Sequence, residues 1–286
     1  NPAIASATYN VGTRALLVTG TNFVANNGAS NDIDASSLTL RGEGGSSYTL
    51  TDSADVEISS GTTFTVTLSA TDALHVNGLL NKDGTSASDA TTYNIGAADN
   101  WMPGSPAAND IADTTGNGIT VNNTQIPTVT SAIYDADTGV FVVTGSNLFH
   151  KVGVDNDIDL STITLTGGAV NATYTLTTSS DVEVSSATSF TFTLSGADKT
   201  ATDALLDQLG SISSAGSTYN FAVGDNWLTA AEAATDIADA TSAITVSINP
   251  KITSAAYNAT TGALVVTGTN IQANGAADDI DASTLT

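Results

Sequence analysis

The chain repeats one segment three times. Ile4-Ala-Ser-Ala-Thr-Tyr9 corresponds to Val129-Thr-Ser-Ala-Ile-Tyr134 and to Ile252-Thr-Ser-Ala-Ala-Tyr257. The repeat length of about 125 residues is that of a domain and is too long for a solenoid unit. We therefore predict two complete modules, residues 1–125 and 126–249, and the first part of a third, residues 250–286. Arrays of this kind typically serve reach, display and adhesion, because duplication adds length and valency without new chemistry.

The charge excludes one class of partner. The formal net charge is −23, from 29 acidic residues against 6 Lys and Arg. A polyanion of this kind lacks the basic patch that binds nucleic acid or an anionic membrane surface. No apolar run is long enough to span a bilayer, so we expect no membrane insertion.

The chain contains no cysteine. Disulfides, thiolate metal sites and cysteine nucleophiles are therefore excluded. An extracellular protein without disulfides needs another source of rigidity, and bound metal is a common one. Because the third copy stops within a module, we expect the chain to be a piece of a longer protein whose targeting signals lie elsewhere.

Short alternating runs rich in Thr, Val, Ile and Tyr predict an all-β fold of antiparallel β-sandwiches. In Thr63-Phe-Thr-Val-Thr-Leu68 the apolar residues all point to one face. One stretch, Thr71–Leu80, has leucines at helical spacing and predicts a short helix. We take Thr202–Leu209 as its counterpart in the second copy.

A further motif follows the first hairpin turn of each copy. Leu16-Leu-Val-Thr-Gly-Thr-Asn22 returns as Phe141-Val-Val-Thr-Gly-Ser-Asn147 and Leu264-Val-Val-Thr-Gly-Thr-Asn270. These residues resemble the immunoglobulin-like modules of very large bacterial surface proteins, such as secreted adhesins and surface-layer proteins. The resemblance implies tandem immunoglobulin-like sandwiches, an extracellular location at the cell surface and, for calcium-dependent adhesins, bound calcium.

An acidic tetrapeptide also returns in every copy, as Asn31-Asp-Ile-Asp34, Asn156-Asp-Ile-Asp159 and Asp278-Asp-Ile-Asp281. In extended backbone, residues two apart point the same way, so the two aspartates of each copy are predicted to converge. Adjacent carboxylates repel unless a cation lies between them, and hard oxygen ligands suit Ca²⁺. The calcium ligands predicted from this motif are Asp32, Asp34, Asp157, Asp159, Asp279 and Asp281.

Calcium takes about 6–8 oxygens, and the long polar loops of residues 97–113 and 223–239 offer more. The additional predicted ligands are Asp99, Asp110, Asp113, Asp225, Asp236 and Asp239. Counting strand reversals places the acidic motif of the second module beside the junction at residues 122–127, where calcium would stiffen the joint. Whether the long loop reaches that end is open. The alternative is that these acids cap turns and keep the surface soluble.

Trp101 and Trp227 follow Asp-Asn in both long loops. Exposed tryptophans stack on sugars, so glycan binding is one interpretation. The other, which we favour, is that a large apolar plug pins the loop onto the sandwich.

The sequence offers few candidate catalytic residues. His75 and His150 occupy unrelated positions in their modules, which leaves no repeated histidine site. Glu57 and Glu183 recur, but alternation points them to solvent on a strand face. We therefore predict a structural, non-enzymatic segment of an extracellular bacterial surface protein, stiffened by Ca²⁺, whose partners are neighbouring repeats or copies of itself. The alternatives are a glycan-binding module and a filament subunit completed by β-strand addition.

Overall fold

The computed structural model describes residues 1–169, 171–248, 251–269, 271, 280 and 282–285. The strands of the first module are β1 (Ala3–Asn10), β2 (Ala15–Thr21), β3 (Leu38–Arg41), β4 (Ser47–Thr49), β5 (Ile58–Ser60), β6 (Thr63–Thr67), β7 (Asn94–Ala97) and β8 (Gly118–Asn122). Those of the second are β9 (Thr128–Asp135), β10 (Val140–Ser146), β11 (Ile163–Gly167), β12 (Ala172–Thr175), β13 (Ser189–Thr193), β14 (Asn220–Val223) and β15 (Asp239–Ser247). The third copy contributes β16 (Lys251–Asn258) and β17 (Ala263–Thr269), and the two α-helices are α1 (Ala70–Leu79) and α2 (Gly196–Leu205).

Each complete module wraps its strands around one core. The first has the order β4-β3-β7-β8-β1-β2-β6-β5, and the second the matching order β12-β11-β14-β15-β9-β10-β13. Side chains from opposite ends of the order, such as Leu40 on β3 and Phe64 on β6, belong to the same buried cluster. The predicted fold class, tandem immunoglobulin-like β-sandwiches with one short helix each, is confirmed.

Side chains along the strands alternate between buried and exposed, as the sequence pattern predicts. On β2, Leu16 and Val18 are fully buried while their neighbours Leu17 and Thr19 are exposed. Tyr9 on the adjacent β1 is also fully buried. One pairing in each module departs from the antiparallel expectation, because the first and last strands, β1 with β8 and β9 with β15, run parallel. The last strand can pair this way because a long loop precedes it and returns the chain to the starting end.

The position of the second helix corrects the sequence alignment. The helix begins after Ser195, whose hydroxyl accepts the N–H of Asp198, as Ser69 caps α1 through the N–H of Asp72. The counterpart of Thr71 is therefore Ala197. The predicted alignment of Thr71–Leu80 with Thr202–Leu209 is wrong by five residues. Apolar spacing did not reveal this register, because the cap and the buried aspartate decide it. No helix in the described part of the chain is long and apolar enough to cross a membrane.

The strands of the two complete modules end at Asn122 and begin again at Thr128, on either side of the predicted boundary. In the third copy, β16 and β17 pair as β1 and β2 do. Tyr257 and Leu264 on this hairpin are exposed. Most of the chain that follows this hairpin lies outside the described residues. Asp279 and Asp281 also lie outside the described residues.

Candidate functional site

The two aspartates of the acidic motif have different structural roles. Asp32 is buried, and its carboxylate accepts the backbone N–H groups of Asn26 and Ile58 at 2.5 and 2.9 Å. Asp34 instead caps a short 3-10 helix and accepts the N–H of Ser36 at 3.0 Å. Burial raises the pKa of Asp32, but these two backbone hydrogen bonds and one with the Glu57 carboxyl group outweigh it, so the pKa is lowered.

The second module repeats this arrangement. Asp157 is fully buried and accepts the N–H groups of Lys151 and Val184 at 2.5 and 2.6 Å. Asp159 caps the corresponding 3-10 helix of the second module, Leu160–Thr162, through the N–H of Ser161 at 2.9 Å. The motif therefore holds its own loop together in both modules. The two aspartates of each motif use separate hydrogen-bond partners, and the convergence of their carboxylates on one side stays a prediction.

The acids of the long loops also accept backbone N–H groups. Asp113 ties its loop to the first strand by accepting the N–H of Ile4 at 2.9 Å. The others accept N–H groups within or next to their own loop: Asp99 from Ile111, Asp110 from Ala112, Asp225 from Ile237, Asp236 from Ala238 and Asp239 from Thr241. These contacts are those of turn-capping residues. Calcium binding by these acids stays a prediction.

The structure answers the open question about the long loops, which reach the same end of the module as the acidic motif. The carbonyl of Trp101 accepts the N–H of Asp34, and that of Trp227 accepts the N–H of Asp159, both at 2.9 Å. Both indoles are fully buried, and Trp227 donates its ring N–H to Ile237 at 2.8 Å. The tryptophans are therefore plugs between loop and sandwich, and neither presents a ring face to a glycan.

Glu57 and Glu183 both contact the acidic motif, and Glu57 is exposed to solvent as alternation predicts. Glu57 accepts the N–H of Asn31 at 2.9 Å, and Glu183 accepts that of Asn156 at 3.0 Å. Glu183 is partly buried beside Asp157; burial first, and then the neighbouring Asp157 carboxylate, raises its pKa. Their recurrence in both copies was the sequence signal that could have linked them to the motif.

A histidine joins this pair of acids in the second module only. His150 Nδ1 lies 2.9 Å from Asp157 Oδ2 and 2.8 Å from Glu183 Oε2. In the part of the chain that the structure describes, these are the only three or more His, Asp or Glu side chains whose ligand atoms all lie within 4.8 Å of one another. Repetition could not reveal this cluster, because the residue at the equivalent position of the first module is Ala25.

The same histidine lies at the joint between the modules. Its backbone N–H donates to the carbonyl of Leu74 on α1 at 3.0 Å. Its ring meets that of His75 edge-on, with centroids 4.5 Å apart, and His75 in turn stacks on Tyr48. Burial, and then the nearby His150, lowers the pKa of His75. Asp157 thus lies at the end of its module that faces the preceding one.

Helix α1 and the residues that follow it make further contacts between the modules. Leu74 is buried in the core of the second module rather than in that of its own. A Cβ added to Gly78 would overlap the carbonyl of His150, so only glycine permits this approach. Beyond the helix, Asn81 donates to the carbonyl of Ala230 at 2.8 Å. A cavity of about 290 Å³ remains between the two modules beside this contact.

The most heavily hydrogen-bonded carboxylates were not predicted. Asp72 on α1 is fully buried, and its two oxygens accept six hydrogen bonds of 2.6–3.1 Å from Tyr48 and from the turn at residues 51–53. Asp198 on α2 occupies the equivalent pocket. Burial raises the pKa of Asp72, but the hydrogen bonds from Ser53 and its neighbours outweigh it and lower the pKa to about 2.

Comparisons with known proteins place no family name on the chain. No protein-family model and no curated protein matches it. Among solved structures, "Biofilm associated protein - BSP domain" aligns with a TM-score of 0.20 and 15% identity over 86% of this chain and 29% of its own. "Structural basis for Dscam isoform specificity" aligns with a TM-score of 0.20 and 8% identity over 88% of this chain and 55% of its own. Similarity at this level carries no argument about function.

Proposed function

We propose that this chain is a structural segment of an extracellular bacterial surface protein, in which successive modules are held at a fixed angle to carry a distal region away from the cell. The observation that supports the proposal is the joint, where α1 of the first module is received by loops of the second. A flexible linker alone would leave the modules free to reorient. A role in holding position needs no catalytic group.

The contacts between the modules contribute enough free energy to favour one relative orientation. Burying a leucine side chain such as Leu74 contributes about 1.5–3 kcal/mol. Three hydrogen bonds between the modules, from His150 to Leu74, from Asn81 to Ala230 and from Ala233 to Ser88, contribute about 0.5–1.5 kcal/mol each. The exposed ion pair of Lys82 with Glu232, at 3.1 Å, adds little. Contacts of this size favour one relative orientation over free rotation by a few kcal/mol.

Gly78→Ala tests the joint without weakening the helix. Alanine is favoured over glycine within helices by about 1 kcal/mol, and Ala204 occupies the equivalent position of α2. The added methyl overlaps His150, so we expect the modules to separate and reorient while each stays folded. The chain has no cysteine, so spin labels at Thr19→Cys and Thr245→Cys, both exposed, report the distance between modules. The distance distribution should broaden markedly.

Gly196→Ala is the matched control, since a Cβ added at this helical glycine meets no neighbouring atom. It should leave the distance distribution narrow. An equally narrow distribution for Gly78→Ala would show that α1 does not set the angle between the modules, and a broad one in the unmodified chain would refute the proposed role altogether.

Calcium belongs to the same proposal. Support comes from the way two carboxylates hold one loop of the first module: Asp32 accepts the N–H groups of Asn26 and Ile58, and Glu57 accepts that of Asn31. A shared cation would relieve the repulsion between two carboxylates held this close in the chain. Saturating calcium at a hundredfold excess over its dissociation constant should stabilise this module by about 2.7 kcal/mol. Thermal unfolding with millimolar calcium and with excess chelator measures the difference, which Glu57→Gln should reduce. If the melting temperature is the same in both conditions, these acids serve only to cap their loops.

A further inference from the structure

The second module differs from the first at one position that matters chemically. Asp157 and Glu183 correspond to Asp32 and Glu57, and both pairs hold the same loop. His150 replaces Ala25, and its ring nitrogen enters the space between the two carboxylates. One pair therefore offers oxygen ligands alone, whereas the other adds an imidazole nitrogen.

Hydrogen bonds among the three side chains do not satisfy all of their ligand atoms. An imidazole carries at most one hydrogen on Nδ1, so this nitrogen can donate to only one of the two carboxylate oxygens beside it, Asp157 Oδ2 or Glu183 Oε2. Glu183 Oε2 is buried and accepts no hydrogen bond from any described residue, although the same nitrogen lies 2.8 Å away. Asp157, the central ligand, is fully buried. A buried carboxylate oxygen without a donor is costly, and a cation removes the cost.

The types of ligand atom distinguish between cations. The site offers one imidazole nitrogen and two carboxylate oxygens, with Nδ1 2.9 and 2.8 Å from the two oxygens. Zinc binds both histidine nitrogen and carboxylate oxygen in tetrahedral sites. Imidazole also suits zinc and related transition metals, whereas calcium prefers oxygen ligands.

We propose that His150 Nδ1, Asp157 Oδ2 and Glu183 Oε2 form a site for a divalent transition metal, with zinc as the representative ion. Side-chain exposures of 16% for His150 and 31% for Glu183 leave an open side for water to complete the coordination. Binding by these three residues does not depend on the proposed structural role.

The position of the site gives the metal a second effect, which does rest on the proposed function. His150 contacts Leu74 and His75 of the preceding module through its backbone and its ring. A metal that fixes the His150 ring also fixes the loop that receives α1. Zinc should therefore narrow the distribution of distances between the modules.

Zinc titration of the full 286-residue chain tests the site. We expect one zinc ion per chain by calorimetry, and a nitrogen NMR shift at Nδ1 of His150. The chain has only two histidines, so each imidazole can be resolved. His150→Ala, which recreates the residue of the first module, should weaken zinc binding by at least about tenfold, the lower end of what loss of a supporting partner of a metal ligand costs. Glu183→Gln should also weaken it.

His75→Ala is the matched control, because His75 touches the His150 ring but supplies no ligand atom; it should bind zinc as the unmodified chain does. Equal zinc affinity in His150→Ala, or no stoichiometric binding at all, would overturn the site. Calcium affinity should change little between the unmodified chain and His150→Ala. If zinc binds as expected but the spin-label distances do not narrow, the metal site stands and the clamp between the modules is wrong.

Discussion

Asp72→Asn should destabilise the first module by about 3 kcal/mol, within the range for removing one partner from a buried charged network. The substitution keeps the shape of the side chain, but an amide nitrogen would face donors that now point at carboxylate oxygens. The turn at residues 51–53 and the Tyr48 hydroxyl would lose acceptors that a fully buried side chain now provides. Asp198→Asn should have the same effect on the second module, because its pocket is built alike.

Asp72 also contributes to the way the unfolding free energy of the first module depends on pH in acid. The pKa of Asp72 is about 2 in the folded chain, against about 3.9 when unfolded. Above pH ~4 the carboxylate is ionised in both states, and its contribution, on the order of 2–3 kcal/mol at most, is fully present. As the pH falls from ~4 through ~2, the unfolded state binds the proton first and this contribution is lost. In Asp72→Asn the unfolding free energy of the first module should fall less steeply over this window.

Denaturant unfolding followed by tryptophan fluorescence measures both effects. In a Trp227→Phe background, Trp101 is the only indole and reports the first module. Asp52→Asn is the control, because it removes the same charge from an exposed neighbouring side chain and leaves the Asp72 oxygens in place. If Asp52→Asn and Asp72→Asn lose the same stability and show the same acid limb, net charge accounts for the result and the buried pocket does not.

Trp101→Ala should cost the first module about 4 kcal/mol, as removal of a large buried aromatic side chain does. The indole packs edge-on against Phe23 at 5.6 Å, lies 6.1 Å from Phe64, and donates its ring N–H to the carbonyl of Ile111 at 2.9 Å. Its loss opens a cavity in the core and releases the long loop from the sandwich. Thermal unfolding by circular dichroism measures the change.

Trp101→Phe separates the two contributions. Phenylalanine keeps most of the apolar volume but leaves the Ile111 carbonyl without its donor, so we expect a loss of about 1–3 kcal/mol from that group. Trp227→Ala and Trp227→Phe form the matched pair in the second module. If Trp101→Ala proved no more damaging than a typical surface substitution, at about 0.5 kcal/mol or less, the tryptophan would not be the plug that holds this loop.

The sequence by itself determined the modular plan. Repetition of the Tyr9 segment marked the modules, and alternation in Thr63–Leu68 placed Phe64 and Val66 in the core, where they lie. It also indicated one helix per module. These features are local, because strand periodicity and repeated turns are written in consecutive residues.

Only the tertiary structure decided what the polar residues do. The register of α2 depends on Asp198 reaching a turn about 20 residues earlier in the chain. The metal cluster joins His150 to Glu183, and the joint brings Asn81 to Ala230 across 149 residues. Because contacts between residues far apart in sequence leave no periodic trace, neither His150, which contacts the helix of the preceding module, nor Gly78, which lets that helix approach, could be recognised from the sequence of its own module.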